Sequence, residues 1–168
     1  MKSEEFKSIQ APIKEKYKTQ PETAIITLKA EGKIGEGISC KVETGRSIIE
    51  AGLHPATGGN GMLACSGDLL LEALVACAGV TLRAVSTSIG VEIKSGTVKA
   101  EGDLDFRGTL GVSKDVPVGF KTIRLSFMLE TDATDEQIQS IAKLTERYCV
   151  VYQTLAKGVS VEASFNKG

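Results

Sequence analysis

The sequence predicts an α+β protein in which antiparallel strands surround one long central helix. Three observations lead to this prediction. Residues 66–90 form one long apolar stretch with helical start and stop signals, alternating strand patterns lie on both sides of it, and a second helical pattern follows late in the chain. The resulting order of strands, helix, strands, helix and strand differs from the regular alternation of a doubly wound parallel sheet.

The composition is that of an ordinary globular chain, long enough to form one full hydrophobic core. Of the 168 residues, 42% are hydrophobic and 24% are charged, and the net charge is −1. Such a balanced charge gives no electrostatic footprint for nucleic acid or for an anionic membrane surface. The first ten residues include acidic side chains and lack the apolar core of a signal peptide. We therefore expect a cytoplasmic protein that binds neither nucleic acid nor membrane.

The chain before the central helix predicts an appendage followed by short strands. Residues 1–20 carry apolar side chains at helical spacing, and we expect a helical appendage, kinked or divided at Pro12, outside a main domain of residues 21–168. Three short strands are predicted at 24–33, 38–43 and 46–50, the first two forming a hairpin that turns at Gly35 and Gly37. Residues 54–61 predict a loop that lacks the order of a phosphate-binding motif.

The central helix is predicted to begin at Ser66, a good N-cap, and to end at Gly90, which takes a left-handed C′ conformation without strain. Glu72, Thr81 and Arg83 interrupt its apolar character, and we expect it to be too short and too interrupted to span a membrane. A helix that is apolar on nearly every side is buried on several sides. The sequence therefore predicts a core helix, covered by sheets or by a second subunit.

The remaining elements follow from alternation, capping and turn signals. A strand is predicted at 91–106, with an irregularity at Gly96, followed by a glycine-rich loop at 108–119 and a strand at 122–130. A helix from Thr134, a short helix at 150–157 and a final strand at 159–165 are predicted after them. Thr134 and Gln137 have the spacing of a capping box, in which each side chain bonds the backbone amide of the other residue. The strand at 122–130 alternates as expected for a sheet with one solvated face.

Four cysteines and one histidine limit the metal and redox chemistry. The chain has four cysteines: Cys40, Cys65, Cys77 and Cys149. They are too sparse for a disulfide scaffold and form no CxxC pair. Because His54 is the only histidine, no metal site and no cofactor is predicted. Cys40 lies in a strand pattern and is expected to be inert. Cys65 precedes the central helix, where a thiol pKa can be lowered, and is a second-choice reactive thiol. Cys77, taken alone, is compatible with a small buried side chain.

Two segments together resemble the family of osmotically inducible protein C and organic hydroperoxide resistance protein (OsmC/Ohr). The first is LLLEALVACAGVTL, which carries Cys77 in mid-helix, and the second is ERYCVVYQTLAKGVSVE, which carries Cys149. The resemblance covers residues 24–165. It implies an OsmC-like fold built as an intertwined homodimer, in which both subunits contribute strands to two sheets and the long helices pack between them.

The resemblance also implies thiol peroxidase chemistry. The thiol of Cys77 would attack an organic hydroperoxide and become a sulfenic acid, and Cys149 would condense with it to a disulfide. An external dithiol reductant, for example of the lipoyl type, would restore both thiols. A sulfenic acid over-oxidises unless a nearby thiol traps it, so a paired cysteine suits this scheme. An apolar pocket would favour organic over hydrogen peroxide, because burying alkyl groups is favourable.

The sequence departs from the family at the groups that activate the reactive thiol. The peroxidase members have an arginine in the first hairpin, paired with a glutamate in the first turn of the central helix. Here Gly67 occupies the glutamate position, with Asp68 beside it, and the hairpin offers Lys33. Arg46, one strand later, is the nearest arginine. Lys33, Arg46 and Asp68 are therefore the candidate thiolate-activating residues.

Two other functions remain open at this point. The missing arginine–glutamate pair favours an OsmC-like binding or stress protein that keeps the apolar pocket and has little peroxidase turnover. A redox sensor could use the same two thiols to control a partner, although no DNA-binding helix or basic patch supports it. A cation within hydrogen-bond reach of the Cys77 sulfur would favour the enzyme.

Overall fold

A computed structural model of the chain describes residues 2–20, 24–25, 27, 31–34, 39–43 and 48–167, with the backbone alone described at 31–34 and 39–43. The elements in chain order are α1 (Ser3–Thr19), β1 (Glu31–Ile34), β2 (Ser39–Glu43), β3 (Ile48–Gly52), a 3₁₀ turn (Pro55–Thr57), β4 (Ala64–Cys65), α2 (Ser66–Ser88), β5 (Ser95–Asp103), α3 (Phe106–Thr109), β6 (Thr122–Glu130), α4 (Asp135–Tyr148) and α5 (Val150–Lys157). The predicted mixture of helices and mostly antiparallel strands is confirmed. The turn predicted at Gly35 and Gly37 and the candidate Arg46 lie outside the described residues.

The N-terminal segment forms one helix, so of the two outcomes predicted at Pro12, a kink or a division, the division is wrong. Helix α1 continues through this proline for 17 residues. Pro12 cannot donate to the carbonyl of Ser8, but Ser8 is exposed and water can satisfy that oxygen. The start of α1 lies against the end of α2, where the Ser3 hydroxyl donates to the carbonyl of Ser88 at 3.3 Å.

The first four strands form one sheet in the order β1-β2-β3-β4. The pairing of the predicted hairpin is confirmed, because β1 and β2 are antiparallel, with Glu31 opposite Glu43. The early start predicted for its first strand is wrong, since Ala24, Ile25 and Thr27 are not in strand conformation. β2 and β3 are also antiparallel. β4 pairs parallel to β3 through only two residues, Ala64 and Cys65, and was not predicted, because so short a strand shows no alternation.

The second sheet consists of β5 and β6, which pair antiparallel from Ser95 opposite Glu130 to Asp103 opposite Thr122. The irregularity predicted at Gly96 is wrong, since the ladder continues through it. A side chain at Gly96 would place its Cβ 2.8 Å from both the Leu129 side chain and the Met128 carbonyl oxygen. The glycine therefore allows close packing within a regular ladder.

Helix α2 packs against β5, α4 and α5 and forms the centre of the molecule. Its most buried residues lie on one side: Leu74, Ala78, Leu82, Val85 and Ser86. The predicted N-cap is wrong by one residue, because Cys65 occupies that position and makes no side-chain capping bond. Gly90 has a φ of 75°, as predicted for a C′ residue.

By length and composition alone, α2 is the one helix in the described part of the chain that could cross a membrane. The expectation that it is too short and too interrupted is therefore wrong by that criterion. The helix is 23 residues long, and its mean hydropathy stays high although it contains Glu72 and Arg83. In the structure α2 occupies the position of a core helix, in contact with a sheet and two helices.

After β6 the chain forms the two helices α4 and α5, and α5 ends before Gly158. The capping box of α4 is confirmed, with the Gln137 amide donating to the Thr134 hydroxyl and the Thr134 amide donating to the Gln137 side chain. The strand predicted at 159–165 is wrong for the isolated chain, because residues 158–167 have no strand conformation. A strand requires a neighbouring edge for its backbone groups, and this segment pairs with none of the described strands.

Candidate functional site

The site forms where the middle of α2 meets the junction of α4 and α5. Cys77 lies on α2 and is half-buried, whereas Cys149 is only 1% exposed. Both belong to one hydrophobic cluster with Leu74 and Ala78 of α2, and Val151 of α5 packs in the same cluster. The structure therefore brings together the two cysteines that the sequence analysis paired.

Cys149 is the single residue that separates α4 from α5. Its amide donates to the carbonyl of Thr145 at 2.9 Å, and its own carbonyl accepts from the amide of Gln153 at 2.9 Å. Its backbone is extended, with φ −73° and ψ 109°, so that it caps both helices. The chain turns at this residue, and the first turn of α5 lies beside Cys77.

The surroundings of Cys77 lower the pKa of its thiol. Burial acts most strongly and raises the pKa, but several hydrogen-bond donors together outweigh it. The donors are the backbone N–H groups of Val151 and Val150, the Cys149 thiol and the Thr81 hydroxyl. The net direction is downward from the ordinary value, so Cys77 holds a thiolate more readily than a free cysteine.

The neighbouring thiol is affected in the opposite direction. Burial raises the pKa of Cys149, and the adjacent Cys77 sulfur raises it further, whereas the Tyr152 amide acts against both. Of the two thiols, Cys77 therefore loses its proton first, and Cys149 keeps its proton and donates it in a hydrogen bond. This order of the two pKa values places an ionised nucleophile, Cys77, beside a neutral thiol, Cys149.

The walls around the two cysteines are apolar. The sheet contributes these side chains: Val98, Ala100, Ile123, Leu125 and Phe127. A cavity of about 530 Å³ adjoins this cluster, and Leu74, Ile123 and Tyr152 belong to both. On the other side, a groove of about 500 Å³ runs between α1 and α2, with Thr81 in its wall. Both spaces are large enough for an alkyl group.

Of the three candidate activating residues, Asp68 is the one whose side chain the structure describes, and it lies away from Cys77. Asp68 lies in the first turn of α2 and lines a cavity with His54 and Cys65. From Asp68 to Cys77 the helix rises roughly 13 Å. The side chain of Lys33 and the whole of Arg46 lie outside the described residues. Within the described part of the chain, none of the groups that shift the pKa of Cys77 is a cation.

The other two cysteines lie away from this cluster or outside the described side chains. Cys65 is half-buried at the start of α2, and among the described side chains no second cysteine lines either of the two cavities that it borders. The backbone of Cys40 lies in β2, and its side chain is not described. Among the described residues, no group of histidine, cysteine and acidic side chains is arranged to hold a metal ion.

The sequence analysis did not identify the donors to Cys77. Thr81 follows Cys77 by four positions, and the helical spacing that places the two on one face was the available signal. The amides of Val150 and Val151 had a weaker signal. A helix that starts directly after a cysteine has unpaired N–H groups in its first turn, but only the fold shows where they point.

Fold and site together define a mixed α/β protein with a dithiol between its central helix and its C-terminal helix pair. Residues 59–164 match the family model described as OsmC-like protein. This match covers more than half of the chain, and the chain belongs to the OsmC-like family. The resemblance to the OsmC/Ohr family is thereby confirmed.

Solved structures with the same fold include several members of this family. An OsmC-like protein of Mycoplasma pneumoniae superposes with a TM-score of 0.65 at 17% identity, over 80% of this chain and 89% of that one. An organic hydroperoxide resistance protein of Elizabethkingia anophelis gives 0.63 at 19% identity, over 80% and 90%. An OsmC protein of Legionella pneumophila, described as an organic hydroperoxide resistance protein, gives 0.61 at 16%, over 78% and 90%. A search of the curated proteins finds no match.

Proposed function

We propose that the protein is a thiol-dependent peroxidase that reduces organic hydroperoxides through Cys77 and Cys149. The observation that carries this proposal is that Cys77 and Cys149 lie together in one apolar cluster. The directions of their pKa shifts agree with it, since the pKa of Cys77 is lowered and that of Cys149 is raised. A thiolate is the nucleophile that a hydroperoxide requires, and a neutral thiol beside it is suited to trap the product.

The cycle has three balanced steps. The Cys77 thiolate attacks the terminal oxygen of a hydroperoxide, the O–O bond breaks, and one proton is taken up, which yields Cys77 sulfenic acid and an alcohol. The Cys149 thiol then attacks the sulfenic sulfur, forming a disulfide and releasing water. An external dithiol, for example of the lipoyl type, reduces this disulfide by exchange and leaves as its own cyclic disulfide.

An organic substrate is supported by the lining of the two spaces beside the dithiol. The cavity that shares Leu74, Ile123 and Tyr152 with the cysteine cluster is lined mainly by apolar side chains, and its charged lining residues are Lys121 and Glu146. Burying an alkyl group there gains about 0.8 kcal/mol per methylene, which hydrogen peroxide cannot provide. Family members from other organisms are described as organic hydroperoxide resistance proteins, which agrees with this substrate class.

A homodimer is part of the proposal. In the single chain, α2 exposes an apolar stripe that includes Val80 at 72%. The segment after Gly158 alternates Val159, Val161 and Phe165, and all three are largely exposed. Such surfaces usually mark an interface, and a second copy would cover both. Sedimentation should give twice the chain mass of 17.8 kDa at micromolar concentration, and a stable monomer would contradict the dimer.

The direct test treats the reduced protein with one equivalent of cumene hydroperoxide. We expect loss of one equivalent of hydroperoxide and a disulfide between Cys77 and Cys149, identified by peptide mass spectrometry. Addition of a dithiol should then give repeated turnover. Hydrogen peroxide at the same concentration should react more slowly, because it gains nothing from an apolar wall. We place this chemistry in the cytoplasm, where thiols stay reduced.

The alternative is an OsmC-like binding protein with little turnover. The observation that favours it is the lack of a cation among the described groups that act on Cys77. In that case the protein would bind an apolar hydroperoxide or alcohol without consuming the hydroperoxide. Unchanged hydroperoxide after prolonged incubation with reduced protein and dithiol would replace the peroxidase proposal with this one.

A further inference from the structure

Phe120 lies between two cavities that follow one face of α2. It lines the first cavity, of about 530 Å³, which shares Leu74 with the cysteine cluster, and a second cavity of about 350 Å³ near the start of α2. Among the described residues it is the one that borders both. Leu74 belongs to the first cavity, and Leu71 and Gly67, which precede it on the same helix face, belong to the second. The two cavities are therefore consecutive along the helix.

The ring of Phe120 occupies a slot that two glycines leave open. A side chain at Gly102, near the end of β5, would place its Cβ 2.5 Å from Cδ1 of the ring, far inside van der Waals contact. A Cβ at Gly67, in the first turn of α2, would lie 3.5 Å from Cζ of the same ring. The ring thus reaches from the sheet to the helix and separates the two cavities.

The backbone around Phe120 positions this ring. Phe120 lies just before β6, whose first residue, Thr122, pairs with Asp103 at the end of β5. The Lys121 amide donates to the carbonyl of Asp103 at 2.8 Å, which extends the ladder by one bond. The ring is therefore carried by the end of a regular ladder, which holds it across the gap between sheet and helix.

We propose that Phe120 sets the longest alkyl chain that the cavity beside the dithiol accepts. Leu74 precedes Cys77 by three positions and lies in the same apolar cluster. A chain whose reactive end is at Cys77 therefore runs past Leu74 towards the start of α2 and meets the ring. The second cavity would offer roughly 10 Å more along the helix axis, the rise from Gly67 to Leu74. The inference rests on the proposed function for its substrate, an organic hydroperoxide with a linear alkyl chain.

The second cavity offers apolar contacts to a chain once the ring is removed. Its apolar side chains include Leu71, Leu104 and Phe106. Of its two carboxylates, that of Asp103 is exposed and paired with Arg124. Each methylene buried against the apolar side chains should tighten binding about fourfold. The ring of Phe120 thus withholds a space that longer chains could use.

The test measures binding without chemistry, in the Cys77→Ser protein, with linear alcohols from hexanol to dodecanol as probes. Isothermal titration calorimetry gives the dissociation constants. With Phe120 present, the affinity should rise with chain length and level off where the chain meets the ring. In Phe120→Ala the rise should continue, so that the ratio of the hexanol to the dodecanol dissociation constant grows by more than about tenfold.

Phe106→Leu is the matched control, because Phe106 lines the second cavity but not the first. Its ratio should stay close to that of the parent protein. If Phe120→Ala does not fold, Phe120→Leu keeps an apolar side chain and should shift the ratio in the same direction by a smaller factor. A ratio that is the same with and without the Phe120 ring, or an equal increase in Phe106→Leu, would overturn the proposal.

The protein that retains Cys77 separates this inference from the proposed function. The kcat/KM for dodecyl hydroperoxide, relative to that for hexyl hydroperoxide, should increase in Phe120→Ala by a factor similar to that of the alcohol ratio. No turnover of either hydroperoxide, together with a changed alcohol ratio, would refute the proposed function and leave the role of Phe120 standing. Turnover of both with unchanged ratios would refute the role of Phe120 and leave the peroxidase.

Discussion

Cys65 and Cys149 both cap a helix, yet their surroundings differ in ways that decide what each can do. Cys65 precedes the long helix α2 and lines cavities that hold His54 and Asp68 but, among the described side chains, no second thiol. Cys149 precedes the short helix α5, is buried, and lies beside Cys77. Closeness to a helix start in the sequence is thus a poor guide to reactivity. What separates the two positions is that Cys149 has a second described cysteine beside it, on another helix.

The strongest test of this comparison removes each thiol in turn. Cys77→Ser should abolish consumption of cumene hydroperoxide in the presence of dithiol, because a serine hydroxyl does not ionise in this pH range. Cys65→Ser should retain nearly all of the activity, since Cys65 shares no cavity with Cys77 or Cys149. The rate of hydroperoxide loss measures both. An inactive Cys65→Ser protein that folds like the wild type would show that the wrong thiol has been chosen.

The next test separates the first reaction from turnover. Cys149→Ser should still consume one equivalent of hydroperoxide, because the Cys77 thiolate remains, but dithiol-dependent turnover should fall strongly. Without its trapping partner, Cys77 should accumulate as sulfinic acid, seen as the addition of two oxygens to the peptide that contains it. Cys65→Ser again serves as the control and should show no such peptide. Full turnover in Cys149→Ser would remove Cys149 from the mechanism.

The sequence predicted the parts of this molecule that depend on local pattern. The hairpin, the alternation in β6, the capping box at Thr134 and the C′ glycine at Gly90 all follow from turn chemistry, side-chain periodicity or capping. Each of these signals is complete within about ten residues. The structure agrees with these local predictions because no contact with a distant part of the chain favours another conformation there.

The sequence failed where distant contacts decide the conformation. The segment 159–165 alternates like a strand but pairs with no described edge of its own chain. The two-residue strand β4 exists only because β3 lies beside it. At the site, Cys77 and Cys149 were paired by resemblance to a family, and the amides of Val150 and Val151 could not be predicted without knowing how α5 meets α2. The sequence predicts that charged side chains activate the Cys77 thiol, because backbone N–H donors leave no signature in the sequence.

The opposite pKa directions of the two thiols predict a pH-dependent order of labelling. Because the pKa of Cys77 is lowered and that of Cys149 is raised, iodoacetamide should modify Cys77 first at pH values between the two. The ratio of labelled Cys77 to labelled Cys149 should fall as the pH rises, since Cys149 then also ionises. A ratio that stays constant with pH would show that access, not ionisation, separates the two thiols. Peptide mass spectrometry after brief labelling gives the ratio directly.

The smallest expected effect concerns Thr81, the donor on the same helix as Cys77. Its hydroxyl acts on the sulfur less strongly than the amides of α5 and the Cys149 thiol do. Thr81→Val removes the hydroxyl while keeping the branched shape, and should lower the Cys77 alkylation rate at pH 7 by about threefold, corresponding to a hydrogen bond worth roughly 0.5–1 kcal/mol.

Thr81→Ser keeps the hydroxyl and is the matched control, with a rate close to that of the wild type. An alkylation rate that is unchanged in Thr81→Val would show that this hydroxyl does not act on the Cys77 sulfur.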